Sequence, residues 1–168
     1  MVKGKRFWVN GGLLAAAMLG ACGSRTGAGS PAPRPDDSAV HVTLLHLNDV
    51  YEITPIGAGR IGGLARVATV LQRLKAQNTN TRMTLGGDFV SPSAVGTARV
   101  NGERLAGRQM VAVLNAAGLD VATFGNHEFD ISEAQLGLRI SESRFAWAST
   151  NVTDSLNRPL LGVPRHLI

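Results

Sequence analysis

Apolar residues alternate between two spacings from about residue 42 onward. Val42–Leu47 is a short apolar run rich in branched residues, which favours a buried strand, whereas three- and four-residue spacing across Arg60–Gln77 predicts a helix. Strand and helix alternation implies parallel pairing with right-handed crossovers, so the sequence predicts an α/β fold. The remaining predicted elements are strands at Thr81–Leu85, Asp120–Phe124 and Phe145–Ser149, and helices at Arg104–Ala117 and Ile131–Ser143. Residues 153–168 show no clear element.

The N-terminal segment has a different pattern, that of an export signal. A cationic start precedes an apolar stretch, residues 11–21, that is too short to span a bilayer. The sequence Leu19-Gly20-Ala21-Cys22 resembles the bacterial lipobox, in which the cysteine is acylated; an ordinary cleaved signal with a chance cysteine is the alternative. Cys22 is the only cysteine in the chain. We therefore expect residues 1–22 to be a lipoprotein signal peptide, Cys22 to be lipidated, and the protein to be exported and anchored at the bacterial cell envelope, facing the periplasm or the outside.

The next segment and the charge balance narrow the possible partners. Residues 23–39 are rich in Gly, Ser, Pro and Ala and predict a flexible tether, because they cannot bury enough apolar surface to fold. The formal net charge of +5 includes three cations of the predicted signal, Lys3, Lys5 and Arg6, so the rest of the chain carries +2. Without a basic run interleaved with aromatic residues, we expect no nucleic-acid binding.

Polar side chains follow the first three predicted strands. The first strand runs into residues 48–52, the second into Gly86-Gly87-Asp88, and the third into residues 125–130. Loops after the carboxyl ends of parallel strands share one edge of a sheet, which is where functional groups collect. Carboxylate, amide and imidazole groups in this mixture suit a divalent transition metal better than a structural zinc site. Asp88, on the middle loop in sequence, is the natural candidate to bridge two cations.

These blocks resemble the first three blocks of the calcineurin-like metallophosphatases, and most closely those of the 5′-nucleotidase branch. The resemblance lies in Asp49, in Gly86-Gly87-Asp88 and in the run Gly125-Asn126-His127-Glu128-Phe129-Asp130, and it extends over about residues 42–152. It implies the N-terminal part of a metallophosphatase-type layered sandwich with mainly parallel strands. It also implies hydrolysis of a nucleotide or another phosphoester with two divalent metal ions, which could be Zn, Mn, Co or Fe.

The resemblance implies a function for each matching residue. Asp49 would bind one metal, Asp88 would bridge both, and Asn126 would bind the second. His127 would contact the substrate phosphate and stabilise charge in the transition state, and Asp130 would orient the imidazole and keep it protonated. Glu128 is expected to be a supporting or structural group.

The sequence departs from the family pattern in two places. The usual Asp-x-His of the first block is Asp49-Val50-Tyr51, so Tyr51 or Glu52 is a possible metal ligand in place of the histidine. The later histidine blocks and the nucleotide-binding domain of the family are not found, since only His166 follows His127. We therefore expect residues 40–168 to be a partial metallophosphatase domain and the chain to be truncated.

Two other functions remain open from the sequence. A non-catalytic envelope lipoprotein of the same fold is the first. The second is a dinucleotide-binding oxidoreductase domain, because residues 57–62 read G-x-G-x-x-G before a helix, although Pro55 and other residues separate them from the strand. His46, in the first strand, is expected to be a packed histidine rather than a ligand.

Overall fold

A computed structural model describes residues 39–167 of the chain. The predicted signal peptide, Cys22 and almost all of the predicted tether lie outside the described residues. Within residues 39–167, no helix is both long enough and apolar enough to cross a membrane.

The described part is built on a four-stranded parallel sheet. Its strands are β1 (Thr43–Leu47), β2 (Thr81–Leu85), β5 (Val121–Ala122) and β6 (Ala146–Trp147), and they lie side by side in that order. The register pairs Thr43 with Thr81, Thr84 with Val121, and Val121 with Ala146. The predicted α/β fold with mainly parallel strands is confirmed.

Four helices and a short hairpin connect these strands. They are α1 (Leu64–Gln77), α2 (Ala94–Thr97), the hairpin of β3 (Arg99–Val100) and β4 (Glu103–Arg104), α3 (Arg108–Ala117) and α4 (Glu133–Glu142), with 3₁₀ turns at His127–Asp130 and Leu160–Gly162. Because the sheet grows in one direction, right-handed crossovers place α1, α3 and α4 on the same face. Alternate residues of β2, Met83 and Leu85, are buried in the core with Met110 and Leu114 of α3 and Leu136 of α4.

Only one face of the sheet is covered in this way, and this corrects the expectation of a buried first strand. Leu44 of β1 is 65% exposed, and Arg82 of β2 is also exposed. His46 points to the same open face, where its Nδ1 lies 2.8 Å from Thr84 Oγ1, so its prediction as a packed histidine was wrong. Branched residues indicate a strand, but strand order decides whether its second face is covered.

Two helices begin later than predicted because a glycine with positive φ precedes each of them. α1 begins at Leu64 rather than Arg60, after Gly63 with φ 95°. The G-x-G-x-x-G segment forms a turn closed by the bridge between Ile56 and Ile61, not a strand-to-helix junction. α3 begins at Arg108 rather than Arg104, because Gly107 has φ 84° and Arg104 lies in the hairpin.

The later elements are shorter than predicted. The third and fourth sheet strands keep only two residues each, β5 and β6, and α4 runs from Glu133 to Glu142 rather than over residues 131–143. Gly137 is tolerated inside α4, which a capping box of Ser132 and Gln135 starts. Propensity and periodicity locate an element better than they locate its ends.

A cluster of aromatic side chains supports the edge of the sheet where the strands end. The ring centroid of Trp147 of β6 lies 5.3 Å from that of Phe89 and 5.2 Å from that of Phe124. The Phe145 ring lies 6.0 Å from the Trp147 ring. Phe89 directly follows Asp88, and Phe124 directly precedes Gly125. The loops after β2 and β5 therefore start from buried aromatic packing.

Candidate metal and phosphate site

The carboxylate of Glu128 joins the loops that follow β2 and β5. It is fully buried and accepts hydrogen bonds from four backbone N–H groups, those of Asp88 (2.7 Å), Phe89 (2.9 Å), Val90 (3.3 Å) and Gly125 (2.6 Å). Successive N–H groups of a loop form a concave nest that suits an anion. We call this carboxylate with its four donors the Glu128 anchor.

The two loops also approach each other so closely that only glycine fits between them. A Cβ on Gly87, which has φ 96°, would overlap the backbone of Gly125, and a Cβ on Gly125 would overlap the Asp88 carboxylate. Asp88 Oδ1 in turn accepts the backbone N–H of His127 at 2.8 Å. The contact holds the Asp88 carboxylate beside the 3₁₀ turn that carries His127.

The loop after β1 is attached to the same edge by fewer contacts. The Asp49 N–H donates to the carbonyl of Gly87 at 3.2 Å. The exposed Asp49 carboxylate accepts hydrogen bonds from the side chains of Asn48 and Tyr51, the latter at 3.0 Å. Hydrogen bonds from Asn48 first and Tyr51 second lower the pKa of Asp49, and the neighbouring Asp88 and His127 side chains act in the same direction. The first two predicted ligands, Asp49 and Asp88, thus lie together at this edge, and the pKa of Asp49 is held below its ordinary value.

Tyr51 occupies the position of the family's histidine, and in this structure its hydroxyl is a hydrogen-bond donor to Asp49. Desolvation and the Asp49 carboxylate raise the pKa of Tyr51 to about 12, so the phenol stays neutral at physiological pH. Its ring meets the His127 ring edge-on, with centroids 6.0 Å apart. The side chain therefore touches both the metal-ligand and the imidazole halves of the site.

His127 and Asp130 form a hydrogen-bonded pair on the 3₁₀ turn after β5. The distance from His127 Nδ1 to Asp130 Oδ2 is 2.7 Å, and the same carboxylate oxygen accepts the Ser91 hydroxyl at 3.3 Å. The hydrogen bond to Asp130 is the main cause that raises the pKa of His127 above its ordinary value of 6.5. Because Nδ1 is engaged, Nε2 is the nitrogen left for a ligand.

The remaining predicted site residues are exposed. Asn126 directly precedes His127 and starts the 3₁₀ turn, where its carbonyl accepts the Phe129 N–H at 3.3 Å. Glu52 lies next to Tyr51 and lines an adjacent cavity. In the part of the chain that the structure describes, Glu52 makes no side-chain hydrogen bond to another site residue.

The donor set can be compared with what a metal site requires. Two carboxylates and an amide oxygen, from Asp49, Asp88 and Asn126, are the hard donors that Mg²⁺, Ca²⁺ or Mn²⁺ accept. Across residues 39–167, no group of three or more His, Cys, Asp and Glu side chains could hold a metal ion. The residues present therefore fit one side of a divalent-cation site, and two cations would need further ligands.

Sequence reasoning did not identify three features of this site. It expected Glu128 to be supporting or structural without finding its four donors, and it did not single out Ser91 or the contact between Gly87 and Gly125. The available signal was a carboxylate directly after His127 in a chain whose loops are rich in glycine. Such loops expose N–H groups that need an acceptor once they are buried.

Comparison with known proteins agrees with this geometry. Residues 42–161 match the family model described as calcineurin-like phosphoesterase. The chain is 29% identical over 130 residues to the trifunctional nucleotide phosphoesterase protein YfkN of Bacillus subtilis, covering 73% of this chain and 9% of the relative. It is 34% identical over 98 residues to a snake venom 5′-nucleotidase of Gloydius brevicauda, covering 53% and 16%.

A solved structure shows the same similarity in three dimensions. The 5′-nucleotidase precursor from Thermus thermophilus superposes with a TM-score of 0.56 at 28% identity, covering 71% of this chain and 24% of that one. The chain thus spans well under half the length of these similar proteins. The predicted resemblance to the N-terminal part of this group is confirmed.

Proposed function

Because the chain belongs to the calcineurin-like phosphoesterase family, we propose that it supplies the first part of a divalent-metal-dependent hydrolase that acts on nucleotides. The observation that carries this proposal is the meeting of the Asp49 and Asp88 carboxylates with the His127–Asp130 pair at one edge of the sheet. Two similar proteins are a 5′-nucleotidase and a nucleotide phosphoesterase by name, which supports a nucleotide substrate. Cyclic 2′,3′-phosphodiesters are a related substrate class.

The acidic and amide side chains would hold the metal. Asp49 and Asn126 would each bind one cation, and Asp88, on the middle loop, would bridge the two. When bound, divalent cations neutralise the charge of the phosphoryl oxygens and lower the pKa of a coordinated water. The Glu128 anchor sets the Asp88 backbone in place before any ligand arrives, which reduces the reorganisation that binding requires.

His127 would stabilise the charge that develops on the phosphoryl group. Asp130 raises the pKa of the imidazole, so a larger fraction of His127 is a cation at neutral pH than in an unpaired histidine. With Nδ1 held by Asp130, the Nε2–H group is free to donate to a phosphate oxygen. Ser91 and Tyr51 restrict the carboxylate and the ring on either side of this pair.

We further propose that Tyr51 acts through Asp49 rather than as a ligand. A neutral phenol whose proton is donated to Asp49 is a poor ligand, and the hydrogen bond fixes one oxygen of that carboxylate. Export and lipid anchoring through Cys22 are part of the same proposal, and they rest on the lipobox and the N-terminal pattern alone. This would place nucleotide hydrolysis at the cell envelope.

The test is release of phosphate from adenosine 5′-monophosphate by the complete gene product, with manganese or zinc added. We expect metal-dependent release, and we expect His127→Ala to lower kcat by about a hundredfold or more while it leaves manganese binding intact. Asp88→Asn should instead weaken manganese binding most. The matched control is His166→Ala, which changes an exposed histidine that makes no hydrogen bond to a site residue in the described part of the chain.

These measurements distinguish a metal-dependent hydrolase from a non-catalytic lipoprotein of the same fold. An unchanged rate in His127→Ala would contradict the function proposed for this residue. Failure of the unsubstituted protein to bind manganese and to release phosphate would instead support the non-catalytic lipoprotein of the same fold.

A further inference from the structure

The hydrogen bond between Tyr51 and Asp49 shows where the side chain at position 51 points. The Tyr51 hydroxyl lies 3.0 Å from Asp49 Oδ1, and the partly buried Tyr51 ring also meets the His127 ring edge-on. Both contacts lie at the edge of the sheet where the site is formed. The side chain at position 51 is therefore directed at the carboxylate that would hold the first cation.

The Asp49 carboxylate keeps room for a cation beside its hydrogen bonds. Its Oδ1 accepts from the Tyr51 hydroxyl, and its Oδ2 accepts from the side-chain amide of Asn48. An ionised carboxylate offers about four acceptor positions, so each oxygen retains one for another partner. Within residues 39–167, no lysine or arginine forms an ion pair with Asp49 or Asp88. The two carboxylates are therefore available to a metal ion.

The donors that this chain offers to a cation at Asp49 and Asp88 are oxygen atoms. The family's Asp-x-His pattern would place an imidazole nitrogen at position 51, but the phenol of Tyr51 directs its proton at Asp49 and supplies no nitrogen. Carboxylate, carbonyl and water oxygens suit magnesium, calcium and manganese, whereas imidazole suits zinc. The departure from the family pattern therefore changes the kind of donor as well as the shape of the side chain.

The effect of this change on metal choice is a ratio of affinities. Sites made of nitrogen, oxygen or sulfur ligands generally bind zinc more tightly than manganese, and proteins alter this margin through the type of ligand. Replacing an imidazole by oxygen donors costs zinc more than manganese, because carboxylates and water satisfy manganese. A tyrosine at position 51 should therefore narrow the advantage of zinc at this site.

We propose that Tyr51 is a metal-specificity residue, which biases the cation held by Asp49 and Asp88 away from zinc and towards manganese or magnesium. This inference rests on the proposed function, because it takes the two carboxylates as metal ligands. It adds which kind of cation the site selects and which residue makes the selection. Any further ligand of the complete gene product is the same in all variants, so changes at position 51 isolate this contribution.

The test measures the binding of manganese and zinc to the metal-free complete gene product. Electron paramagnetic resonance follows free manganese, and zinc is then added until manganese is displaced, which gives the ratio of the two affinities. Tyr51→His should raise the preference for zinc over manganese by about tenfold or more, since even a supporting contact alters metal affinity about 10- to 100-fold. The variant is expected to fold, because histidine is the residue that the family has at this position.

Two further variants serve as controls. Tyr51→Phe removes the hydroxyl and supplies no nitrogen, so the ratio should stay at the parent value even if each affinity falls. Thr79→His is the matched control for a new imidazole. Thr79 is exposed and precedes β2, at the opposite edge of the sheet from the site, so this variant measures zinc bound to any surface histidine.

Three results would overturn the inference. They are an unchanged ratio in Tyr51→His, a rise of equal size in Thr79→His or Tyr51→Phe, and the loss of both metals in Tyr51→His, which would mean that position 51 does not reach the cation. The proposed function fails by a different readout, absence of metal-dependent phosphate release from the protein with Tyr51 intact.

Discussion

The loops that carry the proposed ligands are held in place in two different ways. The loops after β2 and β5 are fixed from beneath by the Glu128 anchor, whose carboxylate is fully buried. The loop after β1 is exposed at Asp49, and it is attached by one backbone hydrogen bond to Gly87 and by the partly buried side chains of Val50 and Ile53, which pack against the core. The position that departs from the family's Asp-x-His pattern, Tyr51, lies on this second loop, which the Glu128 anchor does not reach. A substitution at Tyr51 leaves the Glu128 anchor untouched.

Breaking the anchor should have the largest effect on the fold. Glu128→Gln keeps the shape but turns one acceptor oxygen into a donor that faces backbone N–H groups. We expect the free energy of unfolding to fall by about 2 to 5 kcal/mol, because two buried N–H groups lose their acceptor at roughly 1 to 3 kcal/mol each. Urea denaturation measures this loss.

The matched control for this substitution is Glu133→Gln, on the first turn of α4 and exposed. It removes a favourable charge at a helix N-terminus, and its cost should be no more than about 1 kcal/mol. Equal losses in the two variants would show that the four N–H donors do not depend on Glu128.

The close approach of the two anchored loops should be the next most sensitive feature. Gly87→Ala introduces a Cβ against the backbone of Gly125 at a residue with positive φ. We expect a loss of about 2 to 3 kcal/mol, since both backbone strain and steric overlap contribute. Thermal or urea unfolding of the variant measures it.

Gly59→Ala separates these two contributions. Gly59 also has positive φ, at 82°, but a Cβ there meets nothing within 4 Å. Gly59→Ala should lower the free energy of unfolding only by the cost of a left-handed backbone conformation at alanine, about 1 to 2 kcal/mol. If Gly59→Ala were as destabilising as Gly87→Ala, the contact between the loops would contribute little.

The smallest effect should come from the exposed loop. Tyr51→Phe removes the second largest contribution that lowers the pKa of Asp49, so this pKa should rise towards its ordinary value of 3.8. A carboxylate whose pKa is lower in the folded than in the unfolded protein stabilises the fold at pH values above its pKa in the unfolded protein. This stabilisation is lost as the pH falls through the pKa of the folded protein. The variant should therefore be slightly less stable near neutral pH and equal to the parent in acid.

Carboxyl NMR titration of the metal-free protein, with a chelator present, measures this shift. Asp154 provides an internal reference, because its pKa is lowered by Arg158 and Leu156 on another loop. An Asp49 pKa that does not rise in Tyr51→Phe, with Asp154 unchanged, would show that the phenol does not support the carboxylate.

Much of the site was predictable because its signals are local. Asp49, Asp88 and His127 each follow a strand by a few residues, and parallel strands bring such loops to one edge. The bounds of β2 were predicted without error. The late starts of α1 and α3 were missed, because amphipathic spacing continues through residues whose glycine neighbours prevent helix formation.

Local signals in the chain specify the alternation of strands and helices, the order of the ligand blocks and the resemblance that they carry. The three-dimensional arrangement specifies which sheet face is covered, which four N–H groups meet Glu128, and that Tyr51 reaches both Asp49 and the His127 ring. The two kinds of information differ in range. Propensity and periodicity act over a few residues, whereas Glu128 and Phe89 are 39 positions apart and are brought together only by the parallel pairing of β2 with β5.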